Sequence, residues 1–154
     1  MIERTLVILK PDAVQRNLVG ELIQKFEKKG LKLVAMKLSQ LTDEILDVHY
    51  AHHKDKPFFK SLKDFMKSAP VILMVLEGPE AVSVVRLMIG ITKSREAQPG
   101  TIRGDYAIST PDNLVHASDS LETAQIEVKR FFKPEELYSW NRANEDFFTS
   151  NSER

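Results

Sequence analysis

Two near-continuous apolar runs, TLVIL at residues 5–9 and VILMVLE at 71–77, dominate the hydropathy pattern of the chain. Each has strand length and no polar alternation, which predicts a central strand covered on both faces. LKLVAMKL at 31–38 alternates instead, with Val34, Met36 and Leu38 on one parity, and predicts a further strand. Between the first two strands Pro11 and Asp12 open a helical pattern in which Val14, Leu18, Leu22, Ile23 and Phe26 recur, and Lys28, Lys29 and Gly30 close it. Lys28-Lys29 reads as a charge pair at a helix C-terminus. Thr42 or Asp43 caps a helix to about Tyr50, and after Pro57 the positions of Phe58, Leu62, Phe65 and Met66 predict another. GPE at 78–80 leads into a helix over AVSVVRLMI that Gly90 ends.

From Ile91 to Asp112 the periodicity stops, and PGTIRGD lies inside this stretch. An irregular segment of that length inside a small domain is functional or disordered. Order returns with a short strand at 113–116 and the helix SLETAQIEVKRFF, where Asp119 and Glu122 have capping-box spacing. No repeat, low-complexity tract or linker divides the 154 residues, so one domain over 1–154 is expected, with about 140–154 as a C-terminal tail whose end, SNSER, reads as frayed.

Charge and composition narrow the function. Lys plus Arg equal Asp plus Glu at 22 each, which argues against a nucleic-acid binder or a protein held to anionic membrane by its overall field. Any anion site must be local. With no cysteine there is no disulfide, thiolate ligand or Cys nucleophile, which suits a reducing, cytoplasmic setting. The N-terminal MIERTLVILKPD is too short and too charged for a signal peptide or a membrane span.

One histidine stands at a chemically useful place. In NLVHASDS, His116 ends the predicted short strand just before a helix begins, where unpaired backbone N–H groups and hydroxyls of Ser118 and Ser120 favour an anion such as phosphate. An imidazole of ordinary basicity is mostly neutral at pH 7 and offers one ring nitrogen as a nucleophile toward phosphorus. The other nitrogen needs an orienting partner, and Glu127, about two helical turns along, is a candidate. Lys10, Arg86 and Arg103 are candidate cations for the equatorial oxygens of a transferring phosphoryl group. A lone histidine beside a cap is no motif, however, and the three cations read equally well as solvated surface charge.

Three segments resemble the nucleoside diphosphate kinase family: RTLVILKPDAVQR, HKDKPFFKSL, and PGTIRGDYAIS together with NLVHASDS. The likeness in order and spacing runs from about residue 3 to about residue 138. It implies an α+β fold, a ferredoxin-like βαββαβ sandwich with a four-stranded antiparallel sheet flanked by helices, where the element list alone also allows a parallel α/β sheet. It implies ping-pong transfer of the γ-phosphoryl of a nucleoside triphosphate to a nucleoside diphosphate through a phosphohistidine, which by position is His116. Lys10, Tyr50, Arg86, Thr92, Arg103 and Asn113 resemble the family's phosphate and ribose groups, and Phe58 and Leu62 the pair that holds the base. Ser118 and Glu127 resemble the groups that hydrogen-bond to the histidine. Mg²⁺ would come on the nucleotide phosphates, with no metal ligand from the protein. Nucleoside tri- and diphosphates are the expected partners, and a homo-oligomer, hexamer or tetramer, the expected assembly. A catalytically silent nucleotide-binding regulatory module of the same fold is the alternative.

The chain departs from the family pattern at Lys93-Ser94, where many relatives carry Asn-Pro, and at Ala117, where glycine commonly follows the histidine. An alanine there requires negative φ, and the missing proline falls in a loop the family uses between subunits. His49, His52 and His53 in HYAHH have spacings that zinc sites use, but no Cys or acidic group completes a shell, so a metal role is not favoured. Phe58 is expected to be the exposed stacking ring and Phe59 a core residue. Phe131-Phe132 and Phe147-Phe148 read as packing against the domain or a neighbouring subunit.

Overall fold

The computed structural model describes residues 1–154. Strands β1 (Ile2–Leu9), β2 (Lys32–Ser39), β3 (Val71–Pro79) and β4 (Val115–Ala117) form one sheet in the order β2-β3-β1-β4, with every pair antiparallel. This is the α+β arrangement that the resemblance implies, and it removes the parallel alternative. The central positions of β1 and β3 explain their unbroken apolar runs. Val7, Leu9, Met74 and Leu76 pack on one face against Leu22 and Phe26 of α2 (Val19–Lys29) and against α5 (Ala81–Ile89). Leu6, Ile8, Leu73 and Val75 pack on the other against α3 (Asp43–His49), α4 (Phe59–Lys67) and α7 (Leu121–Phe131).

Several elements differ from the sequence expectation, each for a local reason. The pattern over 11–29 is two helices, because Asn17 takes φ 58 and breaks the chain between α1 (Pro11–Gln15) and α2. Asn tolerates that left-handed conformation better than most residues. Gly30, at φ 102, then ends α2 as the sequence predicts. In β2 a register irregularity between Leu33 and Ala35 shifts the alternation. Val34 and Ala35 are therefore both buried, whereas Met36 and Leu38 are 49% and 64% exposed. The 91–112 stretch contains a 3-10 turn at Ser94–Glu96 and a short helix, α6 (Ile102–Tyr106), capped by the Thr101 hydroxyl. A five-residue helix is too short to leave a periodic signature.

The last strand begins at Val115 and reaches Ala117, later than the 113–116 expected. α7 is capped by Ser120, whose hydroxyl accepts the Thr123 N–H, and not by Asp119. Ala117 lies in an extended strand, so the substitution for glycine meets no positive-φ requirement. At position 93–94 the loop is closed locally, with Lys93 paired to Glu96 at 2.5 Å and Ser94 buried. The segment after α7 is tied along the β2 edge: the Tyr138 N–H donates to the Val34 carbonyl, and Trp140 Nε1 to Leu33. SNSER carries a short capped turn instead of a frayed end. Phe131 and Phe132 join the core, whereas Phe147 is 89% exposed and Phe148 rests against Gly30 and Arg142.

Replacing Ser120 by Ala removes the α7 cap and should lower the unfolding free energy by about 1 kcal/mol. Asp119→Ala should change it by less than about 0.5 kcal/mol. Urea melts of the two variants check the assignment, and the reverse ranking would return the cap to Asp119.

Candidate active site

Pairing of β4 with β1 sets His116 opposite Ile8, between buried Val115 and Ala117. The two neighbours point into the core beneath α5, so the imidazole points to the opposite face, toward α3 and α7. There Glu127, on the buried stripe of α7 that also carries Ala124, Val128 and Phe131, brings its Oε2 to 2.9 Å and Oε1 to 3.2 Å from His116 Nε2. Ser118 Oγ donates to Glu127 Oε1 at 2.6 Å. Glu127 is only 4% exposed. Burial by itself would push its carboxyl up, but the hydrogen bonds and charge of His116, with the Ser118 hydroxyl, hold it down at about 2. An ionised carboxylate only accepts, so Nε2 carries the ring proton and Nδ1 keeps its lone pair.

His116 and Glu127 open onto a cavity of about 730 Å³, a volume suited to a small-molecule ligand. Lys10, Arg86 and Arg103 line it, as do Tyr50, Thr92 and Asn113. The cations are fixed in place. Lys10 Nζ donates to Asn113 Oδ1 at 2.8 Å, and Arg103 spends three donors on the carbonyls of Asn113, Gly90 and Val115. A guanidinium has five N–H donors, so two remain for a ligand. Arg86 reaches the Ala117 carbonyl at 3.4 Å. Burial, then the Arg103 charge, lowers the Lys10 ammonium to about 8 against the opposing pull of Asp12 and Asp112. Burial and Arg86 together lower Arg103 to about 10. Two crowded, partly desolvated cations are an electrostatic invitation to a polyanion.

At the cavity mouth Phe58 is 47% exposed and Leu62 half-buried, while Phe59 packs on the core as expected. Thus ten of the eleven residues marked from the sequence line one cavity, and Ser118 sits fully buried behind Glu127. Gly104 in PGTIRGD is explained by close approach, since a Cβ there would collide with the Gln98 carbonyl.

Sequence reasoning assigned no place beside His116 to several groups that the fold gathers here. His49 ends α3 with its ring 4.7 Å from that of His116 and its Nδ1 3.4 Å from Glu127 Oε2. Arg130 Nη1 is 3.0 Å from the same Nδ1. Burial, then the His116 charge, drives the His49 imidazole down to about 3, so it stays neutral. His52 and His53 stay at the cavity mouth with rings 3.9 Å apart and do not share a face with His49. His49, His116 and Glu127 have donor atoms within 4.8 Å of one another, but hydrogen bonds already engage those atoms. Asp112, Asp119 and Thr123 also line the cavity. Burial raises the Tyr50 hydroxyl, which stays protonated beside Glu127.

An antiparallel α+β sheet that holds an oriented imidazole beside fixed cations is an arrangement with the chemistry of a phosphotransferase. The family model for nucleoside diphosphate kinase matches residues 3–137. Nucleoside diphosphate kinases of Parabacteroides distasonis and Pyrococcus horikoshii are 57% and 54% identical to the chain over 143 and 149 residues, 93% and 95% of its length and 94% and 95% of theirs. The solved structure of the Halobacterium salinarum nucleoside diphosphate kinase in complex with CDP superposes with a TM-score of 0.94 at 42% identity, covering 97% of this chain and 99% of that one. A family protein from Babesia bovis gives 0.92 at 46% identity, covering 96% and 99%. The chain belongs to the nucleoside diphosphate kinase family, and its activity is that of a nucleoside-diphosphate phosphotransferase. No helix is long and apolar enough to cross a membrane.

The neutral, buried His49 has a consequence for stability. Its folded value of about 3 lies below the ordinary 6.5, so as pH falls below 6.5 only the unfolded chain takes up this proton. That group alone should remove about 1.4 kcal/mol of stability per pH unit between the two values. His49→Gln should flatten the acid limb of a stability–pH profile from urea unfolding, and an unchanged slope would show that His49 is protonated in the folded protein.

Proposed function

We propose that His116 Nδ1 carries the phosphoryl group between nucleotides. The lone pair attacks the γ-phosphorus, a P–N bond forms, the bond from phosphorus to the β-phosphate oxygen breaks, and the nucleoside diphosphate leaves with that electron pair. A terminal β-phosphate oxygen of the second nucleoside diphosphate then attacks the phosphorus of the phosphohistidine, the P–N bond breaks and its electron pair returns to Nδ1, so one site serves both half-reactions in ping-pong order. The observation that carries this reading is the hydrogen bond from Nε2 to an ionised Glu127. It fixes the tautomer and stabilises the proton that the ring keeps while Nδ1 becomes bonded to phosphorus. Ser118 holds Glu127 in that pose.

The remaining residues divide the nucleotide among them. Lys10, Arg86 and Arg103 face the phosphates, whose transition-state charge lies on the equatorial oxygens. Asn113 and Thr92 serve ribose hydroxyls and phosphate oxygens, and Tyr50, kept protonated, offers a phosphate a donor. Phe58 and Leu62 grip the base by stacking and apolar contact, which accepts any base. CDP in the Halobacterium relative supports the nucleotide class.

Mg²⁺ fits as a passenger on the nucleotide. The cavity offers the oxygens of Asp112 and Asp119, whereas the tight His49–His116–Glu127 group is nitrogen-rich and suits no hard cation. When bound, the ion neutralises phosphate charge. The whole chain acts as one domain with 140–154 as an edge-covering tail, in the cytoplasm. It works as a homo-oligomer, hexamer or tetramer, which covers exposed apolar side chains such as Met36, Leu38, Leu87 and Ile108.

Incubation with γ-labelled ATP should give an acid-labile label on the intact protein that GDP removes, and His116→Ala should abolish it. Nucleotide binding without label on the wild-type protein would instead support the silent regulatory module. The alkaline side of the pH profile tests Lys10. Because its charge is lost as pH rises through about 8 in the free protein, kcat/KM should fall there in the wild type. Lys10→Ala should be slow at every pH and lack that limb, and a limb that persists would belong to another group.

A further inference from the structure

Leu114 has φ 73 although it is not glycine, and it is fully buried two residues before His116. Only glycine enters this region freely, so the backbone must be held from outside. Both of its peptide groups are gripped by the turn that follows β1: the Leu114 N–H donates to Asp12 Oδ2 at 3.0 Å, and the Leu114 carbonyl accepts the Lys10 N–H at 2.8 Å. Asp12 is not among the residues that line the cavity. Its other oxygen, Oδ1, is buried without a hydrogen-bond partner.

We propose that Asp12 is a positioning residue for phosphoryl transfer, whose carboxylate clamps the left-handed backbone of Leu114 and thereby fixes Asn113 and His116 relative to the transferring group. The inference rests on His116 as the nucleophile. Asn113 stands on one side of the clamped residue, with its side chain on Lys10 Nζ and its carbonyl on Arg103 Nε. His116 stands on the other, one residue into a strand of three. Without the acceptor, the Leu114 N–H would be left buried and unpaired, and the peptide would turn toward negative φ to find a partner. That rotation carries Asn113 away from Lys10 and tilts the start of β4. The base contacts at Phe58 and Leu62 lie elsewhere in the cavity and Asn113 gives only part of the ribose and phosphate contact, so the loss falls on transfer more than on nucleotide binding. The Asp12 charge also supports the protonated Lys10, and the experiment must separate that charge from the clamp.

The separation uses the full-length protein at a pH well below the Lys10 value, with single-turnover labelling of His116 by γ-labelled ATP. Asp12→Ala should slow labelling by roughly tenfold to a hundredfold, as small misplacement of reacting groups does, while ADP affinity by calorimetry changes less than about threefold. Asp12→Asn keeps an acceptor oxygen without the charge and should recover most of the rate. A wild-type rate in Asp12→Ala would overturn the proposal. Equal losses in the Ala and Asn variants would also overturn it, by assigning the effect to charge. Hydrogen exchange on the wild-type protein supplies a readout that needs no variant to fold: the Leu114 amide should be strongly protected, and exchange at the rate of an open loop would refute the clamp. His116→Ala in the same labelling experiment tests the underlying nucleophile by itself, because label on that variant would displace His116 without bearing on the Leu114 amide.

Discussion

An ionised carboxylate buried beneath the His116 imidazole is the constraint around which this protein is built. Burying a charge of that kind without compensation costs several kcal/mol. Glu127 is compensated from separate elements, by His116 from β4 and by Ser118 from the turn after it, while the neutral His49 of α3 turns its Nδ1 to Arg130. The helices on that face of the sheet therefore meet at one point. Because the carboxylate accepts from Nε2 as well as from Ser118, the condition that keeps the core intact also leaves Nδ1 as the unprotonated ring nitrogen. Stability and imidazole orientation share one hydrogen bond.

The cations show the same economy from the other side. Arg103 holds three backbone carbonyls of the loops around β4, so its position is set before any ligand arrives. Lys10 is similarly committed to Asn113. Charges fixed in this way need no rearrangement when phosphate charge develops, which is the condition for strong electrostatic catalysis. Burial lowers both groups, with repulsion from Arg103 added at Lys10 and from Arg86 at Arg103, and this favours an anion between them.

The sequence disclosed the parts of this design that repeat or that sit next to each other. Runs covered on both faces made β1 and β3 legible, and the motif segments drew attention to His116, Lys10 and Arg103. What it withheld depends on single backbone angles or on contacts between distant elements. Asn17 splits a helix whose apolar spacing continues across the break, and a register irregularity in β2 exposes Met36 and Leu38 despite correct alternation. Asp119 had the spacing for a cap, yet Ser120 took that role, since a one-residue choice among good capping residues is decided by how the chain leaves β4. The only local signal at His49 was a metal-site spacing, which does not point to its contact with Glu127 and Arg130. Its partners Glu127 and Arg130 lie far along the chain, on α7, and only antiparallel order in the sheet brings α3 and α7 together.

The shortness of β4 explains why so many long-range contacts converge on it. Three ladder pairs hold Val115, His116 and Ala117 against β1, and a slip of one residue would exchange every side chain between faces. His116 would then enter the core beside α5, and Val115 or Ala117 would face the cavity. A strand of three residues supplies little resistance to such a slip by its own hydrogen bonds. The register is pinned instead from its flanks, by Arg103 on Asn113 and Val115, by Lys10 and Asp12 on Leu114, and by the Ser118 N–H on the Leu6 carbonyl. Two of these pins, Lys10 and Arg103, come from side chains or turns that also face the nucleotide cavity. Anything that loosens Lys10 or Arg103 therefore loosens the strand that presents His116, and it follows that the cations and the imidazole move as one unit.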